Sequence, residues 1–231
     1  MEQPELTRER LERFLAYSGL ASRREAKQLI KDGKVLVNGT TVTEPGFGIV
    51  PDKDKVTLVE TFTKESHLVF KPRGIETSKT SSTSKDIHDR FKQLKHLAPI
   101  GRLDKDSEGL IILSNDGTLT KALTKIGSTV GKTYKVTVRE NISDAALQKM
   151  ASGIMLDKIK TKPAIVKRAS RTSFEITLFE GRKHQIRRMC DACRLTIDTL
   201  TRIAIGPIKT GTLKSGNSRK LTLEEVAILK N

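Results

Sequence analysis

Apolar residues in the N-terminal stretch switch from helical spacing to strand spacing. Behind Thr7, a predicted N-cap, Leu11, Phe14 and Leu15 share one helical face, and Ser18-Gly19 marks the helix end. A second helix opens at Ser22-Arg23-Arg24-Glu25, where Ser22 and Glu25 form a capping box that satisfies first-turn backbone donors. Ala26, Leu29 and Ile30 make its apolar face, and Gly33 supplies the stop. Val35-Leu36-Val37 and Thr40-Thr41-Val42 then flank Asn38-Gly39, a pair that takes positive φ readily and so specifies a tight hairpin. A strand over 55–59 closes a small α/β module spanning 7–60.

Residues 60–66 read as a linker, and the pattern beyond it is mixed. Leu68-Val69-Phe70 predicts a strand, residues 78–85 a polar loop, and Ile87, Phe91, Leu94 and Leu97 a helix. Strands are predicted at 109–113, 133–138, 164–167 and 174–178, with a helix over 143–151 between the second and third. A helix over 184–193 carries Ile186, Met189, Cys190 and Cys193 along one stripe. The expected class is α+β, with a second domain over 66–231 built on an antiparallel-rich mixed sheet.

Charge narrows the partner. The 231 residues hold 43 Lys and Arg against 27 Asp and Glu, a formal net charge of +16. Such a surplus suits a polyanion, and the lack of Trp and the 4% aromatic content favour nucleic acid over a membrane surface. On the second helix Arg23, Lys27 and Lys31 fall four apart with Arg24 beside them, a stripe that can track a phosphate backbone. Two helices across a short glycine turn also fit a DNA-binding helix-turn-helix, although the Asn-Gly hairpin that follows argues against its simplest form. The first ten residues lack the apolar stretch of a secretory signal, and no apolar run approaches the roughly 20 residues of a spanning helix. A cytoplasmic monomer is expected.

Candidate chemistry is sparse. Cys190 and Cys193 form a CxxC, but they lie on an apolar stripe near a helix end, where core packing outweighs zinc or redox roles. The four histidines lack metal-ligand spacing, and neither a P-loop nor a dinucleotide fingerprint is present, so no metal or cofactor is expected. The loop Gly101-Arg102-Leu103-Asp104-Lys105-Asp106-Ser107 leads into an apolar run and sets a carboxylate beside an arginine. A loop aspartate is ordinarily a turn or cap residue; at such a junction it can also be a presented reactive group. Gly181 to Met189 adds Arg182, Lys183, His184, Gln185, Arg187 and Arg188, cations and polar readers of which one arginine can pair with a site carboxylate.

In their order, these segments resemble the RsuA family of pseudouridine synthases, which modify ribosomal RNA. Lys71-Pro72-x-Gly74 is similar to the family's first motif, and Gly101-Arg102-Leu103-Asp104 through Gly109 to Gly117 to its catalytic motif. Lys132-Thr133-Tyr134-Lys135-Val136 resembles the tyrosine motif, Gly181 to Met189 the arginine motif, and Arg202 to Ile208 and Arg219 to Thr222 also fit. The N-terminal module resembles the RNA-binding domain named after ribosomal protein S-four. Ser107 stands where many members have Thr, and Phe70 where Asn is common.

The resemblance implies a site. Asp104 would be the carboxylate that detaches uracil from ribose, Arg187 its counter-ion, and Tyr134 the residue that stacks on the base and acts in the deprotonation at carbon five. Arg102 would fill the space vacated by a flipped uridine. Lys71, His184, Gln185 and Arg188, with Arg23, Arg24, Lys27 and Lys31, are the expected RNA contacts. Structured RNA, more specifically large-subunit ribosomal RNA, is the implied substrate, with small-subunit RNA and tRNA as alternatives. The rival classes are a non-catalytic RNA-binding or ribosome-assembly factor and a helix-turn-helix DNA regulator.

Overall fold

The computed structural model describes residues 8–21, 23–59, 63–78, 83–125 and 127–230, with only the backbone of Arg24. Thr7, Ser22 and residues 60–62 and 79–82, on which parts of the sequence reading fall, lie outside the described residues. The described chain divides into two compact units. One holds the residues up to Ser66 with Ser114–Lys121; the other holds His67–Leu113 and the chain from Ala122 onward.

In the first unit, helices Leu11–Tyr17 and Arg23–Lys31 pack with a three-stranded sheet formed by Thr40–Thr41, Val35–Val37 and Val56–Leu58. Leu11, Leu15, Ala26, Ile30, Val35 and Ile49 are fully buried between them. Asn38 (φ 53°) and Gly39 (φ 84°) make the expected hairpin turn, and Gly33 (φ 67°) ends the second helix. The first helix starts later than a Thr7 cap requires. Glu9–Arg10 pairs instead with Gly48–Ile49, and the freed helix donors of Leu11 and Glu12 reach Phe47 O and Pro45 O.

The second unit is built on a nine-stranded mixed sheet, mostly antiparallel, as expected. The spatial order is Ile165–Arg168, Ser173–Leu178, Lys132–Val138, Ile197–Ile205, Glu108–Ser114, Ser66–Lys71 and Ser218–Lys220, with two short strands at its sides. Ile197–Ile205 runs antiparallel to Lys132–Val138 and parallel to Glu108–Ser114. This long central strand has no counterpart in the sequence reading. Its inward positions include Leu200, Arg202 and Ala204, and the arginine breaks the apolar alternation that marks a strand.

Two apolar clusters fill this unit. Val136, Phe174, Ile176 and Leu178 pack with Met150, Ile186, Met189 and Cys190; Val69, Ile111 and Leu113 pack with Ile87, Phe91, Leu94, Leu97 and Leu103. Cys190 is fully buried, and burial pushes its thiol up to about 12, so the CxxC belongs to the core. The predicted helix over Ile87–Leu97 is instead one helical turn, Ile87–Arg90, followed by a 3-10 turn, Lys92–Leu94. All four of its apolar residues are buried nonetheless.

Candidate active site

Asp104 occupies the loop between strands Ala98–Ile100 and Glu108–Ser114. The backbone on either side of it is pinned. Leu103 N donates to Thr77 Oγ1 at 2.9 Å, the Thr77 hydroxyl donates back to Leu103 O at 2.7 Å, and Ser107 N donates to Asp104 O at 3.1 Å. The buried Leu103 side chain anchors the loop in the second cluster, leaving the Asp104 carboxylate 39% exposed.

Helix Gln185–Asp191 delivers the cation. Arg187 Nε stands 3.8 Å from Asp104 Oδ2, while its Nη2 donates to Asp106 O and Ser107 Oγ, each at 3.1 Å. One guanidinium thus holds both the carboxylate and the loop that carries it, and the buried Ser107 contributes through its hydroxyl. His184 Nε2 lies 3.5 Å from Asp104 Oδ1. His184 precedes the helix in a left-handed conformation, φ 51°, which costs a non-glycine residue about 1–2 kcal/mol. The turn places its imidazole against the carboxylate.

Tyr134 lies on Lys132–Val138 and packs against both apolar clusters, including the one that contains Leu103. Its hydroxyl accepts from Arg202 Nη1 at 3.4 Å. No motif role in the sequence points to Arg202. The signal available was a lone arginine inside an otherwise strand-like run.

Two expected RNA contacts, Lys71 and Gln185, are corrected. Lys71 is fully buried, and its Nζ donates to Pro72 O at 3.0 Å and Ile75 O at 2.8 Å. Burial pushes its ammonium down to about 8, against the opposing pull of Asp104, Asp106 and Glu108. Gln185 is also buried, donating to Glu180 Oε1 at 2.8 Å and accepting from Arg182 N at 3.0 Å. Arg188 pairs with Asp157 in the Met155–Lys160 hairpin, whose carbonyls at Ile159 and Lys160 Arg182 also grips. The arginine motif therefore ties down its own surroundings as well as Asp104.

Arg102 is exposed and donates to Ser78 Oγ at 3.0 Å. In the first unit, Arg23 and Lys27 line a cavity of about 460 Å³ with Arg10, Arg13 and Glu12, and Lys31 is exposed on the same helix. Lys27 stands 3.9 Å from Glu12. Among the described residues no three His, Cys, Asp or Glu side chains gather as metal ligands, and no helix is long and apolar enough to cross a membrane.

A carboxylate set between a guanidinium and an imidazole on a rigid, half-open loop can act on an electrophilic carbon or hold a proton in a site that a bound substrate would cover. Comparison with known proteins places the chain in a family. A family model described as RNA pseudouridylate synthase matches residues 62–192, and an S4 domain model matches residues 9–53. The chain is 36% identical to the ribosomal large subunit pseudouridine synthase B of Bacillus subtilis (strain 168), across 96% of each protein. It is 35% identical to the dual-specificity RNA pseudouridine synthase RluF of Escherichia coli (strain K12), covering 94% of this chain and 77% of that one. A crystal structure of a pseudouridylate synthase superposes with a TM-score of 0.72 at 28% identity, covering 95% of this chain and 99% of that one.

Proposed function

The chain belongs to the RNA pseudouridylate synthase family, and from that premise we propose that it isomerises a specific uridine in structured ribosomal RNA. The large subunit is the favoured substrate, since the Bacillus subtilis relative is named for it. The observation that carries the reading is the Asp104 carboxylate held on a pinned loop between Arg187 and His184.

In this reading the target uridine leaves its stack at a cost of a few kcal/mol, and Arg102 occupies the vacated space. Asp104 supplies the carboxylate at the point where the bond between N1 and the ribose carbon breaks. Arg187 keeps that carboxylate charged and oriented once RNA covers the site. The uracil turns and bonds to the ribose through carbon five, the proton on carbon five leaves by way of the Tyr134 oxygen, and N1 gains a proton. Atoms and electrons balance within the nucleotide, so neither an oxidant nor an activated donor is required. Residues 7–60 form the RNA-binding domain and residues 66–231 the catalytic domain. Arg23, Arg24, Lys27 and Lys31 track the RNA backbone. The enzyme works as a monomer in the cytoplasm, where ribosomal RNA is assembled.

Incubation with unmodified ribosomal RNA tests the reading. The wild-type chain forms pseudouridine at a defined position and Asp104→Ala forms none; turnover by Asp104→Ala would sink it.

A further inference from the structure

We infer that Arg202 is the positioning residue that holds and charges the surroundings of the Tyr134 hydroxyl. The inference rests on the reading of Tyr134 as the residue through which the carbon-five proton leaves.

Arg202 lies on the central strand, in register with Tyr134 on one side and Gly109 on the other. The Gly109 contact accounts for a glycine in the catalytic motif. A Cβ at position 109 would stand 2.3 Å from Arg202 O and 2.5 Å from Arg202 N, and Gly109 has a φ of 110°. Only glycine lets these two parallel strands approach there, so the motif that carries Asp104 also seats Arg202.

The Arg202 side chain is only 5% exposed. Its Nε donates to Leu110 O, its Nη1 donates to the Tyr134 oxygen at 3.4 Å, and Cζ lies 5.9 Å from the Tyr134 ring centroid. Nη2 is buried without a hydrogen-bond partner among the described residues. The charge is felt nearby, since it helps push both Lys71 and Lys132 down from the ordinary lysine range. A strut between strands needs no charge, and an apolar side chain would serve as well or better at a buried site. A retained guanidinium that is incompletely satisfied marks a place where its charge is used.

Tyr134 is the hydroxyl that this charge meets. When the C5–H bond breaks, its electron pair returns to the uracil ring and the proton passes to the Tyr134 oxygen as the hydroxyl gives its own proton up to solvent. A fixed cation against that oxygen orients it and stabilises the negative charge that develops on it as the protons pass. Arg202 does this through Tyr134, without touching the base.

A double-mutant cycle decides the matter. Pseudouridine formation is followed under single turnover, with saturating enzyme and a ribosomal RNA fragment carrying the target, in wild type, Arg202→Met, Tyr134→Phe and the double variant. Arg202→Met is expected to slow the reaction about 100-fold with RNA affinity within about threefold, and to expose an isotope effect from deuterium at carbon five. Arg202→Lys is expected to recover about tenfold of that loss. In the Tyr134→Phe background the Arg202→Met change is expected to cost less than about threefold. Full additivity, with Tyr134→Phe itself slow, would leave the reading of Tyr134 standing and overturn the inference, because it marks Arg202 as a strut. Tyr134→Phe at the wild-type rate would overturn both. Circular dichroism checks each fold, and Arg202→Lys with Arg202→Gln completes the cycle if Arg202→Met does not fold.

Discussion

Replacing Arg187 by methionine removes the cation beside Asp104 while keeping most of the side chain's volume. At 3.8 Å the attraction between unit charges is about 4 kcal/mol at an effective dielectric constant near 20. Water around a carboxylate that is 39% exposed screens this to about 1 kcal/mol or less in the free protein, so the ion pair itself adds little to stability. RNA seated over the loop removes that water, and the attraction grows toward the larger figure as the reaction proceeds. The same substitution also leaves Asp106 O and Ser107 Oγ without the charged donor, contacts of roughly 1.5–3 kcal/mol that set the loop's shape. Since the two losses overlap, the expected penalty is about 2–4 kcal/mol, or roughly thirty- to a thousandfold in single-turnover rate. RNA affinity, measured by filter binding, should stay within about threefold of wild type because the arginine faces the carboxylate. Arg187→Lys keeps the charge but cannot reach both carboxylate and loop, and should fall between. A folded Arg187→Met variant within about threefold of the wild-type rate would refute the assignment of Arg187 as the counter-ion.

Other perturbations probe separate parts. Changing Arg23, Lys27 and Lys31 to glutamine should weaken RNA binding and flatten the slope of log affinity against log salt by about 2–3, with the saturated single-turnover rate unchanged. Gly109→Ala should lower unfolding free energy in urea by at least about 2 kcal/mol, because strands that pair at Arg202 must separate and a positive φ is strained. An equally stable variant would show that the close approach is not required. Lys71 yields a pH dependence. Its pKa is about 8 when folded against 10.5 for the unpaired group, so below pH 8 its charge weighs against folding. From pH 8 to 10.5 the unfolded chain binds more protons, and wild type should gain stability over Lys71→Met by up to about 3 kcal/mol. A difference that is flat in pH would contradict the burial of a proton-binding amine.

The N-terminal elements were legible because local rules specify them. The Asn38-Gly39 turn and the Gly33 stop each demand positive φ, and the structure has both. The apolar stripe through Ile186, Met189 and Cys190 likewise located a helix and its buried face. Long-range pairing was harder to read. No local pattern announces that Glu9–Arg10 pairs with Gly48–Ile49 and so displaces a helix start. The central strand was hidden because a buried arginine occupies a position where a strand usually carries an apolar residue. Site chemistry divided in the same way. The motifs marked Asp104, Tyr134 and Arg187 as chemically apt, but a basic motif does not tell which cations face solvent. Lys71 and Gln185 look alike in sequence to RNA contacts, and only packing shows them turned toward their own chain.

The central claim is that this chain converts a ribosomal uridine to pseudouridine through Asp104. Pseudouridine mapping of ribosomal RNA, in cells lacking the chain and in the same cells supplied with wild type or Asp104→Asn, tests it directly. At least one ribosomal pseudouridine is expected to disappear, to return with the wild-type chain and to stay absent with Asp104→Asn. An unchanged ribosomal map, or restoration by Asp104→Asn, would contradict it.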